Sequence, residues 1–561
     1  MLPSMAVAAL MASLPVTGSG QPSPRSDRPG DVRPELPRFE PPEADRLLPR
    51  IDVPRQPSVG ALLGGERFHV RGFRIVGNTV VSDRALRELA SPYTNRDLSF
   101  ADLEALRDAL TLEYVRAGYV TSGAYIPDQR VEDGIVEIRI QEGVLARVEV
   151  ETEGHLRDAY VEERVDRANS GPVNLFAIEE RLQILQQDPV IRSIDAELSP
   201  GERRGEAILR VRATEEEPLR LALSFDNHEP PSVGSAALHG DLSYANATGL
   251  ADELLLDVTQ TRGLQDIGFQ WGLPVSSEDT RLDLYARHSR SDVIEEPFDD
   301  LDIESRSSTY GVTLTQPVHR TLRNDARLFL AAEWRRSKNF LGGSGFSFAP
   351  GPEDGVSKIA VVRLGQTWTH RGPRRVFAAR SMFSIGLDVL GATHHRGDEP
   401  DGQFLAWLGQ AQWAQLMPLP RAGSQVIARL DAQLADSALL GMEQFAMGGY
   451  ATVRGYRENL LVRDNGLVGS LELRVPVLRR ADEMSVLELA PFVDAGRSWN
   501  EDRATPHPRT LASVGLGFRL AITRRIQLNA YWGEDLRDVG DPPDWDLQDD
   551  GVHAELVFAY P

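Results

Sequence analysis

Residues 448–456 read Gly448-Gly449-Tyr450-Ala451-Thr452-Val453-Arg454-Gly455-Tyr456, and residues 492–496 read Phe492-Val493-Asp494-Ala495-Gly496. The first stretch offers an arginine between glycines and an aromatic ring, and the second offers an aspartate on an apolar strand. Because a guanidinium binds a carboxylate through two parallel hydrogen bonds, these residues indicate a buried ion pair that anchors a loop. A β-hairpin turn followed by an unrelated strand is the alternative that these residues alone leave open.

The region that contains both stretches, residues 219–561, alternates apolar and polar side chains in the manner of β-strands. In residues 377–389, one face carries Phe377, Ala379, Phe383, Ile385, Leu387 and Val389, and the other carries Arg380, Ser384 and Asp388. This alternation is typical of a transmembrane barrel with a polar lumen, although a soluble β-sandwich would alternate as well. Alternation by itself does not decide between the two, but residues 219–561 are long enough for many strands of about ten residues with their connections.

Two similar α+β units precede this region, at residues 68–143 and 144–218. Each unit reads as a strand, two helices and two further strands. In the first unit a helix start is marked by Ser99 with Asp102 three residues later, which is the spacing of a capping box, and in the second by Asn174. The sequence therefore predicts two α+β domains.

The N-terminal residues 1–20 read as a secretory signal, with an apolar core followed by small residues. No Lys or Arg precedes this core, and the first basic residue is Arg25. Either the start codon lies further upstream, which we favour, or the signal is atypical. Residues 21–67 are rich in proline and charged residues, and they predict a mostly extended linker.

The composition excludes several classes of function. The 561 residues carry a formal net charge of −22, which argues against nucleic acid as a partner because phosphate binding needs a basic surface. There is no cysteine, so disulfides, thiolate metal sites and thiol nucleophiles are excluded. No stretch has the eighteen or so apolar residues of a membrane-spanning helix, but a barrel strand needs only about ten alternating residues.

No residue pattern predicts catalysis or a cofactor. The adjacent His394 and His395 diverge rather than converge on a metal, and the glycines at 342–345 lack the lysine of a phosphate-binding loop. The aspartates between residues 541 and 550 lack the spacing of a calcium loop. Because no nucleophile, base and orienting residue can be recognised, we expect a protein that is not an enzyme.

At this point the sequence resembles a known superfamily. Val453-Arg454-Gly455-Tyr456 followed by Phe492-x-Asp494-x-Gly496 is similar to the paired motif of outer-membrane assembly and secretion proteins. The repeated α+β unit resembles the polypeptide-transport-associated (POTRA) domains of the same superfamily. Three short motifs match the first POTRA domain of two-partner-secretion transporters (TpsB; hemolysin and filamentous-hemagglutinin secretion and activation type): Gly118-Tyr119, Pro127-Asp128-Gln129 and Gln141-Glu142-Gly143.

The resemblance implies an all-β transmembrane barrel of about 16 antiparallel strands at residues 219–561, preceded by POTRA domains at 68–143 and 144–218. It also implies roles for single residues. A loop that folds back into the barrel would carry the anchor Arg454 with Val453, Gly455 and Tyr456, after the loop glycines Gly448 and Gly449. The barrel wall would carry the partner Asp494 with Phe492 and Gly496.

The function implied by the resemblance is secretion. The barrel would lie in the outer membrane of a Gram-negative bacterium, and periplasmic POTRA domains would receive an unfolded exoprotein, expected to be a large β-helical client. The other implied partners are outer-membrane lipid and the barrel-assembly machinery during insertion. A plug helix is also expected in this family, and residues 42–48 are its only short candidate. The alternatives are a barrel-assembly insertase, a passive porin and, from another class, a membrane-embedded barrel enzyme.

Overall fold

The computed structural model describes residues 28–39, 67–167, 171–203, 205–395, 397, 399–479, 485–523, 525–540, 542 and 544–560. The signal-like residues 1–20, most of the linker and the candidate plug helix at 42–48 lie outside these residues. The chain divides into two compact units, Asp45–Glu216 and the combination of Glu217–Pro561 with Met1–Ala44. In the described part of the chain, no helix is long and apolar enough to cross a bilayer.

The unit Asp45–Glu216 contains two α+β domains with the same strand order. The first has β1 Arg67–Val70, β2 Gly72–Val76, α1 Asp83–Ala90, β3 Arg96–Ser99, α2 Phe100–Arg116, β4 Gly123–Tyr125 and β5 Ile135–Gln141. The second has β6 Val144–Glu153, α3 Asp158–Asp166, α4 Leu175–Gln186, β7 Ile191–Pro200 and β8 Glu206–Glu215. The three-stranded sheets have the orders β2-β5-β4 and β6-β8-β7, and in each the first pair is parallel and the second antiparallel.

The helices begin where the sequence predicts their caps. The Ser99 hydroxyl accepts from the backbone amide of Asp102, whose carboxylate in turn accepts from the Ser99 amide, so that α2 starts with a capping box. The hydrogen bonds from the backbone amide and the hydroxyl of Ser99 hold the pKa of Asp102 below its usual value. Asn174 caps α4 by accepting from two backbone amides. Once started, α2 buries Leu106, Leu110 and Tyr114 against the first sheet.

The motif residues Glu142 and Gly143 lie in the turn that joins the two domains. Glu142 accepts hydrogen bonds from the amides of Thr79 and Val80 and from the hydroxyl of Tyr114 at 3.0 Å. Burial disfavours its ionised form, but these hydrogen bonds outweigh burial and lower its pKa. The Gly143 carbonyl accepts from the amide of Val173 at 2.8 Å in the second domain, so this turn also ties the domains together.

The second unit is a closed antiparallel barrel, as predicted. Its strands are β9 Leu219–Asp226, β10 Ala237–Ala245, β11 Glu253–Gln260, β12 Leu264–Pro274, β13 Arg281–Asp292, β14 Ile303–Arg320, β15 Asn324–Leu341, β16 Ser344–Gly345, β17 Val356–Arg371, β18 Arg375–Leu387, β19 Leu405–Met417, β20 Ser424–Ala435, β21 Phe445–Met447, β22 Leu461–Arg463, β23 Asn465–Arg479, β24 Ser485–Trp499, β25 Thr510–Ala521, β26 Ile526–Asp535 and β27 Val552–Tyr560. In the described residues sixteen strands form the wall, and β27 pairs with β9 to close it. The short β16 pairs antiparallel with the end of β15, and β21 pairs with β22 inside the loop between β20 and β23.

The strands turn apolar side chains outward and polar ones inward. Leu314, Leu330, Leu364 and Phe383 are direct neighbours across β14, β15, β17 and β18, and each is 43–55% exposed on the outer surface. Two aromatic pairs border this row on either side, Tyr310 with Trp334 and Trp368 with Phe377. Alternation predicted this register correctly, but the strand predicted to include residues 388 and 389 ends at Leu387.

Candidate functional site

The Arg454 guanidinium binds the Asp494 carboxylate through two hydrogen bonds inside the barrel. Arg454 Nε donates to Asp494 Oδ2 at 2.8 Å and Nη2 donates to Oδ1 at 2.9 Å. The backbone amide of Arg454 also donates to Oδ2, at 3.1 Å. Asp494 lies on β24, whereas Arg454 belongs to the loop between β20 and β23, and both side chains are buried. This fork-like geometry fixes the direction of the loop as well as its position.

Two further residues on β23 complete the site. Arg454 Nη1 donates to Glu472 Oε2 at 2.5 Å, and Nη2 donates to the hydroxyl of Ser470 at 3.1 Å. In the sheet, Ser470 lies directly opposite Asp494 and Glu472 opposite Phe492. The sequence motifs did not point to Glu472 or Ser470, but both stand on the inward face of a strand whose outward face carries Leu467 and Leu471. An acidic residue on the inward face of a wall strand was the signal in the sequence that could have identified Glu472.

Aromatic rings close the remaining sides of the guanidinium. The Arg454 Cζ atom lies 3.7 Å from the ring centroid of Phe492 and 5.0 Å from that of Tyr531. Cation–π attraction of this kind strengthens when water is excluded. The predicted motif residue Phe492 therefore faces the charge directly, and Tyr531 on β26 is an additional contact that the motifs did not name.

The other motif residues shape the loop around this contact. Gly455 has φ +91°, and a Cβ atom there would lie 2.8 Å from the carbonyl oxygen of Gly533 on β26. Gly448 also has a positive φ, and its Cβ would lie 2.5 Å from the carbonyl oxygen of Arg457. Both positions therefore require glycine, since side chains strain this backbone region and would displace neighbouring main chain.

The remaining motif residues do not contact the guanidinium through their side chains but pack around it. Val453 and Tyr456 are buried in one apolar cluster of the loop and wall. The Tyr456 hydroxyl donates to the carbonyl oxygen of Ala512 on β25 at 2.8 Å. Gly496 leaves room for the side chain of Met447, and Gly449, with φ +96°, leaves room for the carboxylate of Glu458. The structure thus brings all the predicted motif residues together at one place on the inner wall.

Comparison with known proteins places the chain in a family. Residues 205–520 match the family described as Haemolysin secretion/activation protein ShlB/FhaC/HecB, and residues 68–143 match the ShlB-type POTRA domain. The chain belongs to the ShlB/FhaC/HecB family. It is an outer-membrane transporter with periplasmic POTRA domains, which confirms the predicted secretion function rather than the insertase alternative.

Individual ShlB/FhaC/HecB relatives and solved structures agree with this assignment. The chain is 27% identical to the outer membrane transporter CdiB of Escherichia coli, over 75% of this chain and 71% of the relative. It is 22% identical to the heme/hemopexin transporter protein HuxB of Haemophilus influenzae strain 86-028NP, over 80% of each chain. The structure of CdiB from Escherichia coli is similar with a TM-score of 0.66 and 23% identity, covering 90% of this chain and 93% of that one. BamA from Haemophilus ducreyi lacking POTRA domains 1–3 shares the fold at a TM-score of 0.53 and 13% identity, over 88% of this chain and all of that one.

In this ShlB/FhaC/HecB chain the loop of Arg454 has a second buried ion pair that the motifs did not predict. Glu443 Oε1 lies 2.6 Å from Arg335 Nη1 on β15 and 2.9 Å from Arg363 Nη2 on β17. Arg363 also binds Glu333 at 2.9 Å. Glu443 lies between the end of β20 and β21, and all these side chains are nearly or fully buried. The loop is therefore held to the wall at two separate places.

Directly after the motif, the transporter's loop also meets extracellular connections. Arg457 Nε donates to Asp549 Oδ1 at 2.5 Å, and its guanidinium forms an ion pair with Glu295. Asp549 belongs to the connection between β26 and β27, and Glu295 to that between β13 and β14.

In the described residues, no group of three or more His, Asp or Glu side chains is placed to hold a metal ion.

The proline-rich residues 28–39, predicted only as part of an extended linker, lie in the transporter's barrel lumen. Residues 29–31 form one 3-10 turn, and the remainder is irregular. Arg28, Pro29 and Val32 line a cavity together with inward side chains of six consecutive wall strands, β12 to β15, β17 and β18. Arg33 pairs with Asp431 on β20 at 2.8 Å, and Leu36 and Phe39 pack against Val376, Ala414 and Ile427 near the strand ends. This segment occupies part of the space enclosed by the wall.

Proposed function

We propose that this transporter is the translocation pore of a two-partner secretion pair. Its POTRA domains receive an unfolded exoprotein in the periplasm, and its barrel passes the chain outward. The observation that carries this proposal is the loop held inside the barrel by Arg454 at Asp494. A passive porin has no need of periplasmic recognition domains.

The POTRA domains offer strand edges for the client. In the described residues, the ten-residue strand β7 pairs with β8 on one side and with no strand on the other. An exposed edge can accept an extended peptide by main-chain hydrogen bonding, with little dependence on the peptide's sequence. This supports capture of the client as an added strand at β7.

The lumen must open before a client can pass. Residues 28–39 occupy part of the lumen, and the anchored loop occupies another part, so this structure corresponds to a resting state. We infer that the segment leaves the lumen when the client arrives and that it serves as the plug expected in this family. No nucleotide-binding motif occurs in the sequence, so folding of the client outside the cell would supply the drive.

The finer properties of the partners follow the family resemblance. The client would be a large β-helical exoprotein, as the family resemblance implies. The outward apolar band bordered by aromatic pairs supports contact with outer-membrane lipid. The barrel-assembly machinery would insert the barrel. We also infer that the chain is not an enzyme and needs no cofactor.

The proposal predicts that a gene beside this transporter encodes a large exoprotein, and the test is secretion of that exoprotein. Cells that express both proteins should release the exoprotein into the medium, whereas cells that lack the transporter should retain it in the periplasm. A matched strain in which the transporter lacks residues 68–217 should make a barrel but release no exoprotein. Equal release by all three strains would contradict the proposal.

A further inference from the structure

Three wall side chains bind the backbone of the lumen segment 28–39, in addition to the contacts that its side chains Arg33, Leu36 and Phe39 make. They donate to the carbonyl oxygens of alternate residues: Gln410 Nε2 to Gly30 at 3.0 Å, Arg380 Nη1 to Val32 at 3.2 Å and Gln412 Nε2 to Pro34 at 2.6 Å. We call Arg380, Gln410 and Gln412 the carbonyl track. One ion pair, between Arg33 and Asp431, is added to these contacts.

The carbonyl track belongs to the barrel wall and is fixed by strand register. Arg380 on β18 lies directly opposite Gln410 on β19, and Gln410 lies directly opposite Asp431 on β20. Gln412 stands two residues further along β19, so its side chain points to the same face as that of Gln410. Arg380, Gln410 and Gln412 are therefore neighbours on the inner wall, and strand pairing holds them in place.

The three contacts to main-chain carbonyls depend little on the sequence of the segment. Pro29, Pro34 and Pro37 lack an amide hydrogen, so the segment is poorly suited to pair as a strand and is bound through its carbonyls instead. Every residue of any polypeptide carries such a carbonyl, so these donors do not select for particular side chains. A group of donors to main-chain carbonyls therefore fits an unfolded polypeptide of any sequence.

The donors also need an acceptor. Gln410 is buried, and the Arg380 guanidinium bonds to the Val32 carbonyl and the Met382 sulfur, while its Nε atom has no partner. When the segment leaves, these donors need new acceptors, and the free carbonyls of an entering chain can take the place of those of the segment.

We propose that the carbonyl track is a binding site for the unfolded exoprotein in transit, and that residues 28–39 occupy it as a stand-in while no client is present. The site reads the main chain of an extended polypeptide and not its side chains. The segment and the client then compete for the same donors, so that release of one is coupled to binding of the other. This inference rests on the proposed passage of the client through the barrel.

The test measures block of single-channel current in planar bilayers by a neutral, unstructured peptide of Gly, Ser, Thr and Asn. A peptide of about 30 residues is long enough, when extended, to cross a barrel about 25 Å tall. Three pores are compared, each lacking residues 28–39: the otherwise unchanged chain, the double variant Gln410→Ala with Gln412→Ala, and the control Gln270→Ala. Gln270 is an inward glutamine whose amide donates to Asp283 and not to the segment. Gel mobility before and after heating checks that each barrel is folded.

We expect the peptide to block the unchanged pore and the Gln270→Ala pore equally, and the double variant about tenfold more weakly, the loss typical of two hydrogen bonds. The complete chain should be blocked more weakly than the pore without residues 28–39, because its own segment competes. Equal block of all three pores, or no block of the unchanged pore, would overturn the proposal. Secretion of the exoprotein by cells is measured separately. If the transporter secretes the exoprotein but block of its pore does not depend on Gln410 and Gln412, this inference is wrong and the proposed function stands.

Discussion

Glu443 Oε1 lies 2.6 Å from Arg335 Nη1, at a point of the barrel wall six strands away from Asp494. The loop between β20 and β23 is therefore bound at its start to β15 and β17, and further along to β23 and β24. Both contacts bury charges that would lose their partners if the loop moved. Since removing one member of a buried pair leaves an unpaired charge, each contact resists displacement of the loop. Opening of the lumen by movement of this loop thus requires both contacts to break.

Arg454→Ala should leave a folded barrel in the outer membrane but sharply reduce secretion of the exoprotein. The substitution leaves Asp494 buried without its cation, whereas Glu472 keeps its ion pair with Arg474 at 2.6 Å. Loss of one partner of a buried pair costs on the order of 3–5 kcal/mol. Secretion into the medium, normalised to the transporter abundance in outer-membrane fractions, is the measurement.

The control for this prediction is Arg454→Lys, which keeps the charge but cannot form the two-bond fork to Asp494. We expect it to fall between the wild type and Arg454→Ala. The double variant with Asp494→Ala should be milder than the sum of the two single variants, because it removes the unpaired carboxylate. Secretion at the wild-type level by Arg454→Ala, with normal abundance, would contradict the anchor role.

Glu443→Ala should loosen the same loop from its other end. Without this carboxylate Arg363 still pairs with Glu333, but Arg335 loses its ion pair with Glu443, so the two neighbouring guanidinium groups repel each other. We expect faster trypsin cleavage within residues 448–463 and more frequent channel openings in planar bilayers. Glu399→Ala, in which the replaced side chain is 66% exposed, is the matched control. Cleavage rates that are equal in both variants would show that this ion pair does not hold the loop.

Gly455→Ala should destabilise the anchored loop by about 1–3 kcal/mol, the range for a residue forced into a sparsely populated backbone region. Its methyl group would meet the Gly533 carbonyl, and its φ is +91°. Gly441→Ala, in the same loop, has no neighbouring atom within 4 Å of its added Cβ and should be neutral. Thermal unfolding of the barrel in detergent, followed by gel mobility, compares the two variants. A lower unfolding temperature for Gly441→Ala than for Gly455→Ala would contradict the packing described above.

Local sequence patterns predicted the parts of this structure that depend on local periodicity. The barrel was predicted because inward and outward residues alternate along each strand, and the helix starts because Ser99 and Asn174 are capping residues followed by apolar faces. The motif stretches named both members of the Arg454–Asp494 contact, since a family motif carries long-range pairing that spacing alone does not.

Contacts between distant parts of the chain could not be predicted in the same way. Glu443 and Arg335 are far apart in sequence, and nothing in either local pattern indicates that barrel closure brings them within 2.6 Å. The position of residues 28–39 is a similar case. A proline-rich stretch without periodicity predicts extended chain, but its place in the lumen depends on Gln410, Gln412 and Asp431, whose inward direction follows only from the closed barrel.

Leu314→Arg should reduce the fraction of folded barrel, whereas Thr313→Arg should not. Leu314 lies in the outward row between the two aromatic pairs, near the middle of the predicted lipid-facing band, where a guanidinium costs about 2–4 kcal/mol. Its neighbour Thr313 points to the lumen, where it lines the same cavity as Arg335, so a polar side chain there meets no lipid. Folding into lipid vesicles, measured by the gel-mobility difference between heated and unheated samples, compares the two variants. Because the substitutions differ only by one position along β14, a larger loss of folded barrel in Thr313→Arg would mean that the strand faces lipid in the opposite register.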